Sequence, residues 1–106
     1  MGPAFTVDVA READCVRIAL RGELELATVE QAREALSLPE VRPSDTVVLD
    51  LSRVTFIDST GLRFVLLADR RAHEKGWRLE MVPAPPEVQR IFKLTRLEER
   101  LPFVGR

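Results

Sequence analysis

Residues 46–67 constrain the fold of this chain more than any other segment, because they change from a strand pattern to a helix pattern. The segment opens with a nearly continuous apolar run, Val47–Leu51, which Asp50 interrupts near its carboxyl end. Such runs are typical of a central strand that is covered on both faces of an α/β sheet. The second part predicts a helix over Ser59–Lys75, and Gly76 is well placed to end that helix in a left-handed conformation.

The rest of the chain alternates between the two-residue period of strands and the longer period of helices. The predicted elements are strands over residues 5–10 and 15–20, a helix over 28–36, a strand over 77–82 and a helix over 86–94. Gly22 is expected to end the second strand, and Thr28 and Gln31 fit a helix capping box. The tail is expected to pack on the domain, with a possible short edge strand. This order predicts a mixed α/β sheet of about four to five strands with about three to four helices.

Composition limits what the protein can do. A length of 106 residues suits one compact domain, which we assign to residues 1–106. Sixteen basic and seventeen acidic side chains give a net charge of −1, so no cationic field favours direct binding of nucleic acid. The single cysteine, Cys15, excludes an internal disulfide. No apolar run is long enough to span a membrane, and the N-terminus lacks a signal-peptide pattern, which predicts a cytoplasmic protein.

The start of the second predicted helix is the candidate functional site. Ser59 places a hydroxyl at a helix N-terminus, where free backbone N–H groups favour an added negative charge. Asp58 and Thr60 flank it, Gly61 allows close backbone approach, and Asp50 is expected nearby at the end of the preceding strand. The same four residues, 58–61, also fit an ordinary N-capping segment, since Asp, Ser and Thr are preferred caps.

Several motifs together carry a family resemblance. Residues 56–62 read FIDSTGL and follow VVLDLS at 47–52; GELE stands at 22–25 and PEVQRIF at 86–92. These motifs cover essentially the whole chain, and the chain resembles the STAS domain of bacterial anti-sigma factor antagonists. The resemblance implies a STAS-type fold and a protein that acts by exchanging partners.

The resemblance also implies a mechanism. The unmodified antagonist binds an anti-sigma factor that is also a serine kinase, and a sigma factor is released for transcription. Phosphorylation of the antagonist ends this binding, and a PP2C-type, metal-dependent phosphatase restores it. By position, Ser59 is the expected phosphoacceptor, and Glu25 is expected in the loop beside it. Two residues depart from the family pattern: Glu25 replaces Asp, and Arg63 replaces a glycine. Arg63 either pairs with a phosphate on Ser59 or obstructs the kinase.

Projection of the second predicted helix separates a core face from a polar face. The expected core face consists of Leu62, Val65, Ala68 and Ala72. Leu67 projects on the polar side and Phe64 at the border between the two faces. We therefore predict Phe64 and Leu67 as anchors of a partner-binding surface.

Catalysis is not expected from this sequence. A serine hydrolase needs Gly-x-Ser-x-Gly and a partner histidine, whereas the only histidine here is His73, near the end of a helix. One histidine cannot build a metal site, so we predict no metal and no cofactor. The alternative function is a STAS module that is never phosphorylated and binds constantly, as a subunit of a transport or stress-sensing complex.

Overall fold

A computed structural model describes residues 4–37 and 41–104 of the chain. The strands in these residues are β1 (Thr6–Glu12), β2 (Cys15–Leu24), β3 (Thr46–Ile57) and β4 (Arg78–Val82). The helices are α1 (Val29–Leu36), α2 (Ser59–Lys75) and α3 (Pro86–Leu94). The order of elements is the predicted one. None of the helices in these residues is long and apolar enough to cross a membrane.

The four strands form one mixed sheet in the order β1-β2-β3-β4. A tight turn at Ala13 and Asp14 joins β1 and β2 as an antiparallel hairpin, while β2 pairs parallel to β3 and β3 parallel to β4. Helices α1 and α2 make the two crossovers that parallel pairing requires. The predicted mixed α/β sheet is therefore confirmed, and the described residues contain four of the predicted four to five strands and three of the predicted three to four helices. The tail adds a single bridge between Phe103 and Met81.

The hydrophobic core lies on one face of the sheet. Val16 pairs with Val47 and Ile18 with Leu49, and all four side chains are fully buried. On the opposite face, Val48 is only half-buried and lies beside exposed Arg17. The expectation that the central strand is covered on both faces is therefore wrong.

Both central strands are longer than predicted. Gly22 lies inside β2, at an irregularity in its pairing with β3, and does not end the strand. Strand β3 continues to Ile57, but β4 pairs only with its first five residues, Thr46–Asp50. The carboxyl half of β3 thus extends beyond β4 and carries the start of α2 away from the short edge strand.

The helix ends follow local rules with one exception. Gly76 ends α2 in the left-handed conformation, with φ of 79°, and Pro86 opens α3, both as predicted. Thr28 precedes α1 but makes no capping box. Its hydroxyl instead donates to the carbonyl of Glu23 and accepts from the amide of Glu25. The side chain thus stabilises the β2–α1 loop and not the helix.

Candidate functional site

Helix α2 begins directly after β3, and Asp58 connects the two. Asp58 is the N-cap: its Oδ1 accepts from the backbone N–H of Gly61 at 2.9 Å, and its backbone carbonyl accepts from Leu62. A carboxylate at this position satisfies one of the free amides of the first turn and interacts favourably with the helix dipole. The capping interpretation of this segment is therefore correct for Asp58.

Asp58 also binds the β2–α1 loop to the start of α2. Its Oδ2 accepts from the amide of Leu26 at 3.3 Å, and its own amide donates to the carbonyl of Leu24 at 3.4 Å. Glu25 therefore lies in the loop next to the start of α2, where it was expected. Its carboxylate accepts from the amide of Ala27 at 2.7 Å within the loop itself.

Gly61 allows α2 to approach the end of β2 closely. A Cβ at this position would lie 2.4 Å from the carbonyl oxygen of Leu24 and 2.8 Å from Cγ1 of Ile57. Both distances are shorter than real Cβ contacts, and the first partner is backbone, which cannot rotate away. The glycine is thus required by packing at this position.

Ser59 is exposed at the first position of α2, and Thr60 after it is half-buried. Within the described residues, the amides of Ser59 and Thr60 make no hydrogen bond, whereas that of Gly61 is bound by Asp58. The site therefore combines an accessible hydroxyl with two open N–H donors at the positive end of a helix. This arrangement is suited to carrying an anion on Ser59.

Asp50 does not belong to this site. It lies seven residues before the end of β3, or roughly 23 Å along the strand from Ile57. Its carboxylate is bound to the guanidinium of Arg17 at 2.5 Å and accepts from the amide of Ser52 at 2.9 Å. Burial acts to raise the pKa of Asp50, but these bonds outweigh it and hold the pKa below its usual value of 3.8. The prediction that Asp50 flanks Ser59 is wrong, because β3 is longer than its apolar run.

Phe64 is also misplaced by the sequence prediction. It is 1% exposed and packs in the core, so it cannot anchor a partner. The buried side of α2 consists of Gly61, Phe64, Val65, Ala68 and Ala72. It is rotated toward Phe64 relative to the predicted face; Gly61, on this same side, is in close contact with the end of β2, and Leu62 is left half-buried. Arg63 is exposed one turn after Ser59, and Leu67 is half-buried on the outer side.

Two exposed apolar side chains near the site were not predicted. Leu26, beside Glu25 in the β2–α1 loop, is 73% exposed, and Phe56, two residues before Asp58, is 49% exposed. An apolar residue inside the otherwise polar loop was a usable signal for Leu26. Phe56 had no such signal, because its exposure depends on how far β3 extends past β4.

His73 lies far from Ser59. The two residues are fourteen positions apart on α2, or about 21 Å along the helix, too far for proton transfer between them. The Nδ1 atom of His73 lies 2.9 Å from the carbonyl of Asp69, one turn earlier. No group of three or more His, Cys, Asp or Glu side chains in the described part of the chain is arranged to hold a metal ion.

A four-stranded mixed sheet whose central strand leads into an Asp-capped helix with an exposed serine defines a STAS-type domain. The chain belongs to the STAS domain family: residues 7–105 match the family model described as "Mlab, STAS domain". Nearly the whole chain is thus accounted for by one family.

Three individual proteins illustrate the relationship. The chain is 27% identical over 89 residues to the anti-sigma-B factor antagonist of Listeria monocytogenes, covering 84% of this chain and 78% of the relative. It superposes on the Bacillus cell fate determinant SpoIIAA in the phosphorylated form with a TM-score of 0.68 at 25% identity, covering 97% and 93% of the two chains. An anti-sigma factor antagonist from Mycobacterium paratuberculosis shares the fold, with a TM-score of 0.76 at 22% identity over 97% and 87% of the chains.

Proposed function

We propose that this protein is an anti-sigma factor antagonist whose binding to an anti-sigma factor is controlled by phosphorylation of Ser59. In the unmodified form it binds an anti-sigma factor with serine kinase activity, and a sigma factor is released for transcription. Phosphorylation by that kinase ends the binding, and a PP2C-type phosphatase removes the phosphate. The relative from Listeria monocytogenes that is named as an anti-sigma-B factor antagonist supports the first part of this proposal.

The observation that carries the proposal is the division of roles between Asp58 and Ser59. Asp58 caps α2 and holds the β2–α1 loop, so the serine hydroxyl has no structural duty at the helix start. Ser59 is exposed and therefore accessible to a kinase. The hydroxyl of Ser59 is thus available for modification without loss of the helix cap.

A phosphate on Ser59 is expected to leave the domain folded. An anion at an exposed helix N-terminus is stabilised by about 0.3–1 kcal/mol. The neighbouring carboxylate of Asp58 repels it and offsets part of that gain, since phosphoserine carries roughly −1.5 to −2 charges. The functional effect then arises at the partner interface, where burial of an unpaired phosphate costs several kcal/mol and lowers affinity by orders of magnitude.

The same proposal assigns the protein to binding and not to catalysis. Ser59 has no histidine within reach among the described residues, because His73 lies near the opposite end of α2. We therefore infer a regulator that is acted on by a kinase and a phosphatase in the cytoplasm, with no cofactor, metal, nucleic acid or membrane of its own.

The test uses four baits in a pull-down from the lysate of the native host: the unmodified protein, Ser59→Ala, Ser59→Glu and Lys93→Gln. Lys93 is exposed on α3, so Lys93→Gln changes the net charge by the same unit as Ser59→Glu but on another helix. We expect the unmodified, Ser59→Ala and Lys93→Gln baits to capture an anti-sigma factor with a kinase domain, and Ser59→Glu to lose it. Mass spectrometry of the unmodified bait incubated with the captured kinase and ATP should place the phosphate on Ser59.

The second candidate is a STAS module that binds its partner constantly. It is favoured by one observation: Asp58 makes the segment an effective helix start whether or not Ser59 is ever modified. Equal capture of the same partner by the unmodified and Ser59→Glu baits would support this candidate and reject the phosphorylation switch.

A further inference from the structure

A groove between α1 and α2 combines apolar and cationic side chains. It encloses about 410 Å³ and is lined by Arg33 of α1 and by Arg63, Leu66, Leu67 and Arg70 of α2. Leu66 is 39% exposed and Leu67 half-buried, so the floor offers apolar surface to a partner. The arginines form its rim.

The α2 side of the groove continues from Ser59. Each residue advances about 100° around a helix, so Arg63, Leu66 and Arg70 project within about 40° of Ser59. From Ser59 to Arg70 the stripe is about 16 Å long, or three helical turns. The candidate phosphorylation site is therefore one end of this stripe, and the groove continues it along the helix.

The rim is positively charged although the whole chain has a net charge of −1. Arg63 and Arg70 take part in no salt bridge within residues 4–37 and 41–104. Arg33 pairs with Glu30 at 3.2 Å one turn earlier on α1, but both side chains are exposed and the pair is weak. Three arginines thus surround two leucines, and no acidic side chain of residues 4–37 and 41–104 lines the groove.

We infer that this groove binds an amphipathic helix of a partner protein whose apolar face is flanked by acidic side chains. Two packed helices leave a groove into which the ridge of a third helix fits, and three turns match the length of the stripe. Carboxylates on the partner meet the arginine rim, which can bind them in bidentate fashion. The groove is concave and contains only two leucines, which suits a helix better than a flat lipid surface.

The position of the groove also couples it to Ser59. A phosphate there adds roughly −1.5 to −2 charges one turn from Arg63, where it repels an acidic helix and competes for that guanidinium. The partner that carries this helix is the anti-sigma factor, an assignment that rests on the proposed function. The binding chemistry of the groove does not.

The first experiment is a ¹H–¹⁵N NMR titration of the protein with a designed helical peptide of about 15 residues, with leucines on one face and glutamates beside them. A matched peptide carries lysines in place of the glutamates. We expect saturable shifts of the amides of Arg33 and residues 63–70 with the acidic peptide only. Absence of saturable shifts, equal binding of both peptides, or shifts centred elsewhere would overturn the inference.

Two charge-reversal variants sharpen the test. Arg70→Glu removes one attraction and adds a repulsion, so the Kd of the acidic peptide is expected to rise about fivefold or more. Arg90→Glu makes the same change on the exposed face of α3 and should leave the Kd unchanged. Circular dichroism confirms that both variants are folded. Equal effects of the two variants, or binding of the protein to vesicles of anionic lipid in preference to the peptide, would contradict the inference.

The outcome separates this inference from the proposed function. If the pull-down shows loss of an anti-sigma factor on Ser59→Glu while Arg70→Glu retains it and the peptide does not bind, the switch stands and the groove assignment fails. If the acidic peptide binds in the groove while Ser59→Glu captures the partner as well as the unmodified protein does, the groove assignment stands and the switch fails.

Discussion

At the residue scale, the start of α2 depends on three neighbours with different tasks. Asp58 closes the first turn through Gly61 and the β2–α1 loop through Leu26. Gly61, which has no side chain, allows the helix to pack closely against the end of β2. Ser59 neither caps the helix nor packs against β2, and its side chain is exposed. A modification on Ser59 can therefore change what the surface binds without disturbing how the domain is held together.

Gly61→Ala tests whether this close approach is required. The added Cβ would meet the carbonyl oxygen of Leu24 at 2.4 Å, so backbone must move. Such overpacking destabilises the domain by about 1–3 kcal/mol. The better helix propensity of alanine offsets at most about 1 kcal/mol of this loss. We expect a net loss of about 1–2 kcal/mol in the free energy of unfolding, measured by urea denaturation.

Ser59→Ala is the matched control for Gly61→Ala, because it changes an exposed neighbour in the same turn. Its free energy of unfolding should lie within about 0.5 kcal/mol of the unmodified protein. Equal stability of Gly61→Ala and Ser59→Ala would mean that α2 can shift outward at little cost.

At the element scale, β3 organises the sheet and separates two acidic residues that the sequence places close together. Asp50 lies in its middle, paired with Arg17 of β2, while Asp58 lies beyond its end. The length of β3 therefore decides that Asp50 stabilises the sheet and that Asp58 belongs to the site.

The Asp50–Arg17 pair predicts a pH dependence of stability. The folded-state pKa of Asp50 lies below 3.8, so its contribution is present above that value and is lost as the pH falls through the folded pKa. Asp50→Asn should lower the free energy of unfolding by about 1 kcal/mol or less at pH 7, because Arg17 is half-exposed. The difference between the two proteins should shrink below about pH 4.

Asp14→Asn provides the control for this pH series. Asp14 is exposed in the β1–β2 turn and takes part in no salt bridge among the residues that the structure describes. Urea denaturation of the three proteins at several pH values gives the comparison. A difference for Asp50→Asn that stays constant from pH 7 to pH 3 would show that the ion pair contributes nothing through its charge.

At the scale of the whole molecule, α3 and the tail close the core beside β4. The rings of Phe92 and Phe103 meet edge to face with centroids 5.1 Å apart. The tail is tied to β4 by two backbone hydrogen bonds of Met81, one to Pro102 and one from Val104. The last residues of the described chain thus act as part of the fold.

Phe92→Ala tests that closure. Phe92 is fully buried, and truncation of a buried phenylalanine costs about 3–5 kcal/mol through lost burial and the cavity left behind. Leu94→Ala, two residues later on α3, is the matched control, because Leu94 is 70% exposed and should cost less than about 0.5 kcal/mol. Thermal denaturation of both variants gives the comparison, and similar losses would show that α3 is not part of the cooperative core.

The sequence by itself determined the order of the elements, the bounds of α2 and both of its ends. These features depend on neighbours a few positions apart. Asp58 caps α2 by accepting from the N–H of Gly61, Gly76 ends the helix, and periodicity marks the strands. It also determined Ser59 as the candidate site, because a helix start is a local feature. A chain with these patterns is expected to form the same elements before any of them pack.

Tertiary structure alone decided which residues surround that site. Phe64 is buried because it lies on the side of α2 that packs on the sheet, and Asp50 is remote because pairing with β2 extends β3 well past the apolar run. The arginine-rimmed groove needs Arg33 from another helix. Each of these outcomes depends on contacts between segments distant in sequence, and the spacing of residues along one element carries no information about them.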